Sequence, residues 1–191
     1  QMKYIVTMIL MFLLFAGSAT AAEQVIMETN MGDITLELFA DKAPVSVKNF
    51  LSYVDRKDYD STVFHRVIDN FMIQGGGFDQ KLKKKSVQPA IINEADNGLK
   101  NDKGTLAMAR TNVVDSATSQ FFINLKDNDF LNHRGESPQT YGYAVFGKVV
   151  EGMDVVEKIA KVKTVRKGSH QNVPQPLVTV KTVRRVVEKK K

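Results

Sequence analysis

A planar cation, an amide and several large apolar side chains fall within one short stretch, Phe64-His65-Arg66-Val67-Ile68-Asp69-Asn70-Phe71-Met72-Ile73-Gln74-Gly75-Gly76-Gly77. Arg66 supplies a multi-donor guanidinium, Gln74 an amide, and Phe71 and Met72 an aromatic ring and a thioether. The three glycines that follow let the backbone take positive φ or pass close to another chain, which Cβ-bearing residues resist. The set makes a shallow apolar surface with a cation and an amide at its edge. Covalent chemistry has no support in the rest of the chain. There is no cysteine, hence no thiolate and no disulfide. No Gly-x-Ser-x-Gly elbow accompanies a His and an acid. His133 and His170 read as loop residues far from any carboxylate cluster, so no metal site is expected. Gly75 to Gly77 lack the Lys-Ser/Thr of a phosphate loop. No cofactor is expected. His65, opposite in parity to Arg66, reads as a structural, hydrogen-bonded histidine and not a general base.

Residue parity assigns faces, because side chains alternate across a strand. In Gln120-Phe121-Phe122-Ile123 the pair Phe121 and Ile123 can fill an interior, which turns Gln120 and Phe122 outward. An outward Phe beside a Gln is a candidate binding surface. The same rule pairs Met72 with Gln74 and sets Leu106 and Met108 opposite Ala107 and Ala109.

The elements that must carry these faces are mostly strands. Val25 to Thr29 and Asp33 to Phe39 read as two strands about the turn Asn30-Met31-Gly32. Pro44 opens a helix, and Val47, Phe50, Leu51 and Val54 recur at i, i+3, i+4 and i+7 as one apolar stripe that would plug an open end of the sheet. Residues 62–75, Thr105 to Arg110, Gln120 to Leu125 and Tyr143 to Val149 return to strand character. Gly152 to Val162 is a second helix, Thr164 to Pro176 a basic connection and Leu177 to Val187 a last, β-branched strand. Many short strands with two amphipathic helices predict an all-β barrel with helical caps. A small closed barrel is filled by its own side chains, so its ligand site must lie outside.

With 191 residues and 43% hydrophobic content, the chain suits one sizeable core. Its net charge of +6 is scattered apart from Lys83-Lys84-Lys85 and the tail Lys189-Lys190-Lys191. No helix-turn-helix or aromatic-basic motif is present, so no nucleic-acid partner is expected. Lys3, the apolar run Ile5 to Ala16 and the small residues Ala19 to Ala22 read as a cleaved export signal over residues 1–22. The run falls short of the about 20 residues that span a bilayer. The expectation is a periplasmic protein of residues 23–191, with no stable membrane insertion once the leader is gone. An oxidising compartment suits a cysteine-free chain.

The stretch from Phe64 to Gly77 closely resembles the signature of the cyclophilin family of peptidyl-prolyl cis/trans isomerases. Gly104-Thr105-Leu106-Ala107-Met108-Ala109-Arg110, Ser119-Gln120-Phe121-Phe122-Ile123-Asn124 and Tyr143-Ala144-Val145-Phe146-Gly147-Lys148-Val149 are similar to the family's other blocks, in the family's order. The likeness covers roughly residues 25–187. It implies a closed eight-stranded antiparallel β-barrel capped by two α-helices, and an isomerase acting on proline-containing polypeptides, expected to be a monomer. It also implies an outer groove in which Arg66, Phe71 and Gln74 are catalytic and Met72, Ala109, Gln120, Phe122 and Leu131 bind substrate. Arg110, Phe130 and Tyr143 join the substrate-binding set but stand where the best-known eukaryotic pattern has Asn, Trp and His. These three resemble the exported bacterial branch. Phe130 lacks the indole N–H that donates to cyclosporin in the eukaryotic members, so weak cyclosporin binding is expected. A proline-peptide binding module without catalysis is the competing reading; it could dispense with Arg66.

Overall fold

The structure, a computed structural model, describes residues 23–186. The expected export signal and the lysine tail lie outside the described residues.

Alternating apolar residues make the first two strands, β1 (Glu23–Thr29) and β2 (Gly32–Leu38), which pair as a hairpin. Val25, Met27, Ile34 and Leu36 all turn inward and are fully buried. Helix α1 (Pro44–Asp55) follows, with the whole stripe of Val47, Phe50, Leu51 and Val54 buried. Phe50 reaches the inner wall, its ring centroid 5.6 Å from that of Phe121 and 5.3 Å from that of Phe146. Ala43 cannot cap this helix with its side chain. Glu94, from a distant loop, does so instead: its carboxylate accepts from the backbone N–H of Val45 (3.0 Å) and Ser46 (2.8 Å) and from the Ser46 hydroxyl (2.7 Å). A carboxylate at a helix N-terminus satisfies orphan donors and complements the helix dipole, and here it also fixes the long loop that runs from Gly75 to Thr105.

The remaining strands are β3 (Thr62–Val63), β4 (Arg66–Ile68), β5 (Met72–Gly75), β6 (Thr105–Met108), β7 (Phe121–Asn124), β8 (Val145–Glu151), β9 (Thr164–Lys167), β10 (His170–Pro174) and β11 (Thr179–Arg185). Helix α2 (Met153–Ala160) buries Val155, Val156, Ile159 and Ala160. The main sheet has nine strands in the order β3-β11-β1-β2-β8-β6-β7-β5-β4, every pair antiparallel. This corrects the expected eight-stranded, closed barrel. Its end strands β3 and β4 are consecutive in sequence, separated only by Phe64 and His65. A bend in the chain, and no described ladder, therefore joins the two ends. The segment expected as a connection, Thr164 to Pro176, instead forms a second sheet, the hairpin β9–β10, whose strand β10 packs on β4.

That hairpin explains His65. The ring lies against Phe78 (centroids 4.6 Å apart) and 6.4 Å from His170, which opens β10 and is no loop residue. Its Nδ1 is buried with no hydrogen-bond partner, so the hydrogen-bonded histidine expected from parity is instead an aromatic packing residue. Burial, then the neighbouring His170 and Arg66, lower its pKa from 6.5 to about 4, since a protonated ring would bury an unsolvated charge.

Stability follows from that shift. The unfolded chain takes up a proton on this residue near pH 6.5, whereas the folded chain refuses it down to about 4. The contribution is complete above pH 6.5, drains as pH falls between those values, and changes no further below. Its size is on the order of 3 kcal/mol. Thermal melts from pH 7.5 to 4.5 should show a decline in the wild type that is largely absent in His65→Phe, which keeps the aromatic packing. Parallel declines in the two proteins would refute this assignment.

Candidate active site

Four adjacent strands set the site by register. Arg66 on β4 stands opposite Gln74 on β5, Gln74 opposite Phe122 on β7, and Phe122 opposite Ala107 on β6. The next row along the strands, Val67, Ile73, Ile123 and Leu106, points the other way into the main core. Met72, Ala107, Phe122, Leu131 and Val145 form a separate, smaller apolar cluster on the outside of the sheet. Parity thus sorts the faces as expected. It does not give exposure: Phe122 faces outward yet is only 4% exposed, because loops rise around it.

A groove of about 360 Å³ opens over this cluster, lined by Arg66, Phe71, Met72, Gln74, Ala109, Arg110, Phe122, Leu131 and Tyr143. All nine were named from sequence. Two more were named and do not line it. Gln120 lies behind Gln74 and accepts from its Nε2 at 2.9 Å. Phe130 stands at the rim, 56% exposed, stacked on Phe71 with centroids 5.6 Å apart.

The polar edge is a relay of neutral amides ending in a cation. Gln120 holds Gln74, and Gln74 Oε1 accepts from Arg66 Nη1 at 3.3 Å. The guanidinium carbon lies 5.8 Å from the Phe71 ring centroid, and Nη1 is 4.0 Å from the Met72 sulfur. No described carboxylate forms an ion pair with Arg66. Its remaining N–H groups are therefore left for something in the groove. The glycine run makes the relay possible. Gly76 has φ +84°, and a Cβ on Gly77 would lie 2.6 Å from Gln120 Cγ, so Gln120 folds back over a bare backbone.

Arg110 behaves differently from Arg66, although both line the groove. Its Nε donates to the Gly142 carbonyl (2.9 Å), Nη1 to Thr111 O (3.0 Å) and Nη2 to Pro138 O (2.8 Å). Its guanidinium carbon sits 4.9 Å from the Tyr143 ring centroid. Most of its donors thus hold the loop that carries Tyr143, whose ring meets Phe122 edge-on at 5.7 Å. Gly142 takes φ +84°, and a Cβ there would approach the His133 backbone N to 2.6 Å. Sequence reasoning missed Gly142 and Pro138 because a loop carbonyl's partner leaves no periodic signal. Among the described residues no group of three His, Cys, Asp or Glu side chains could hold a metal ion. The arrangement offers an apolar pocket beside a directed, uncompensated donor.

Comparison with known proteins agrees with this geometry. The family model described as "Cyclophilin type peptidyl-prolyl cis-trans isomerase/CLD" matches residues 24–185. The chain is 56% identical to a peptidyl-prolyl cis-trans isomerase of Acinetobacter baylyi, over 93% of each chain. It is 59% identical to peptidyl-prolyl cis-trans isomerase B of Escherichia coli, over 81% of this chain and 94% of that one. A crystal structure of a Cryptosporidium parvum cyclophilin type isomerase in the presence of the dipeptide Ala-Pro superposes with a TM-score of 0.68 at 28% identity, covering 87% of this chain and 99% of the other. Register, groove and sequence similarity together place this chain in the cyclophilin family of peptidyl-prolyl cis-trans isomerases.

Proposed function

We propose that Arg66 drives prolyl isomerisation by donating to the prolyl nitrogen of the twisted amide, while the pocket of Phe71, Met72, Phe122 and Leu131 grips the proline ring. The observation that carries this is the Arg66 guanidinium, held by the neutral Gln74 beside that pocket with no described carboxylate paired to it. Rotation about a peptide bond must break its partial double-bond character, at about 18–20 kcal/mol. The two isomers at X-Pro differ by only about 1 kcal/mol, so the obstacle is kinetic. Lowering it by roughly 7 kcal/mol corresponds to about five decades in rate. The twisted amide has a pyramidal nitrogen whose lone pair can accept a hydrogen bond that neither planar ground state can. A donor aimed at that site favours the transition state alone. Gln74 and Gln120 orient Arg66, and no bond to the protein forms.

The substrates are proline-containing polypeptides; the Cryptosporidium structure with Ala-Pro supports this through its likeness to the present groove. The Lys3 to Ala22 pattern supports export, with clients that fold in the periplasm. Mass spectrometry of the protein from an exporting host should find an N-terminus near Ala22 or Glu23; a retained Ile5 to Ala16 would refute the cleaved leader.

Arg66→Lys keeps the charge and loses the planar fork that Gln74 can hold. Turnover measured by exchange NMR should fall about 10²–10³-fold, the scale for removing one preorganised donor. Peptide affinity and melting temperature should stay near wild type, because the apolar pocket remains. Retention of more than about half the turnover, against the decades a lost donor would cost, would reject directed donation.

Phe130 presents no polar atom at the rim, so cyclosporin should bind weakly. Phe130→Trp restores an indole donor and should tighten cyclosporin by about tenfold, the worth of one hydrogen bond. Turnover should hardly move, since Phe130 lies outside the lining of the groove. Equal drug affinity in the two proteins would contradict the missing-donor account.

A further inference from the structure

Three asparagines lie buried beneath the groove: Asn101 at 1% exposure and Asn124 and Asn128 at 0%. A buried amide is costly unless its donors and acceptor are engaged, so where these bonds go is informative. Asn124 shares the outer face with Phe122 and stands opposite Met72. Its Nδ2 donates to Asn101 Oδ1 (3.2 Å) and Thr105 Oγ1 (2.9 Å), and its Oδ1 accepts from Asn128 Nδ2 (2.8 Å). The backbone N–H of Asn128 donates to the Asn101 carbonyl at 2.8 Å, closing the cluster.

The ends of this network reach the backbone of the groove walls. Asn128 Nδ2 donates to the Phe71 carbonyl at 3.0 Å. Asn101 Nδ2 lies 3.2 Å from both the Leu131 and Tyr143 carbonyls. These three groove residues belong to three different segments: the turn before β5, the 3₁₀ turn Asp129–Leu131 and the loop before β8. Single backbone bonds also touch them, from the Tyr143 N–H to the Leu131 carbonyl and from the Leu125 N–H to the Phe71 carbonyl, both at 3.0 Å, but only the amide hub joins all three. Asn128 Oδ1 has no hydrogen-bond partner although it is buried. Its retained value therefore lies in its two donors, one to Asn124 and one to Phe71.

We infer that Asn101, Asn124 and Asn128 are positioning residues: their side-chain amides tie Phe71, Leu131 and Tyr143 to one buried hub and so set the width of the proline-gripping pocket. This rests on the reading that the groove grips a proline ring. It adds that the grip depends on residues which never touch the substrate.

The test compares Asn128→Leu, an apolar replacement of similar size, with Val156→Ala, a core truncation on α2 outside the groove. NMR titration with a proline tetrapeptide gives affinity, exchange spectroscopy gives turnover, and melts give stability. Asn128→Leu should weaken peptide binding about tenfold, as expected when hydrogen bonds that preorganise a pocket are lost. Turnover of the saturated enzyme should fall less than affinity, because Arg66, Gln74 and Gln120 are not bonded to the hub. Val156→Ala should lower the melting temperature and leave affinity within twofold. If Asn128→Leu binds within twofold of wild type, or if Val156→Ala weakens binding as much for the same loss of stability, the hub only stabilises the fold and the inference is overturned. Should Asn128→Leu fail to fold, Asn101→Ser, which keeps a hydroxyl donor, is judged by the same affinity criterion. Arg66→Lys run alongside separates the two ideas. Full turnover in that variant defeats the donor role of Arg66 and leaves the affinity comparison standing. A wild-type chain whose groove resonances do not respond to the peptide would defeat the grip, and this inference with it.

Discussion

The alignment of β4 against β5 and of β5 against β7 is the constraint on which the site depends. It stacks Arg66, Gln74 and Phe122 in one row across three strands and sends Val67, Ile73 and Ile123 to the other side. A slip of one residue at either ladder would exchange these rows. Arg66 would then face the core beside Phe64 and Phe121, and a valine would face the groove. Such a slip would bury a guanidinium without a partner, a cost of several kcal/mol, so packing of the interior and placement of the cation are enforced together. The core therefore specifies the site as well as the fold.

The same two-sidedness explains why the groove has walls. Strand alternation delivers apolar side chains to an outer face that would otherwise be wet. Met72, Ala107 and Val145, all on that face, are nonetheless nearly or fully buried. Loops provide the cover, and each is fastened by polar bonds. Glu94 docks one on the start of α1, and Arg110 draws another in through Gly142 and Pro138. The sheet supplies a floor and the loops a rim, and only their combination is concave.

What the sequence disclosed follows this division. Faces of β5, β6 and β7 were legible because period-two alternation is a local property, so Phe121 and Phe122 could be assigned opposite sides from their neighbours alone. The α1 stripe was legible for the same reason at period 3.6. Closure was not: that the short β3 and β4 end one sheet on either side of Phe64-His65 depends on partners more than a hundred residues away, such as Val63 beside Thr179. The β9–β10 hairpin was hidden by Arg166, Lys167, Gly168 and Pro174, which read as a basic connection. His65 was misjudged in consequence, since the aromatic groups it meets, Phe78 and His170, are brought there by that hairpin and the loop after Gly77. The groove residues came from matching blocks of sequence, but the opposite uses of Arg66 and Arg110 lie in loop carbonyls that no pattern announces.

Those two arginines, set beside the others, show what the groove asks of its cation. Arg184 pairs with Glu28, and Arg185 with Asp55 and Glu23, as surface guanidiniums commonly do. Arg110 is bonded to three carbonyls. Arg66 alone among these four is held by a neutral side-chain amide, at a longer 3.3 Å. A carboxylate in place of Gln74 would hold it more tightly but would direct the bidentate face of the fork, and much of its field, away from the groove. A glutamine fixes one N–H and leaves the positive charge uncompensated where low-polarity walls strengthen it. Gln120 completes the arrangement by accepting from Gln74 Nε2, which leaves Gln74 Oε1 turned towards Arg66. The amide relay thus orients a donor without neutralising it.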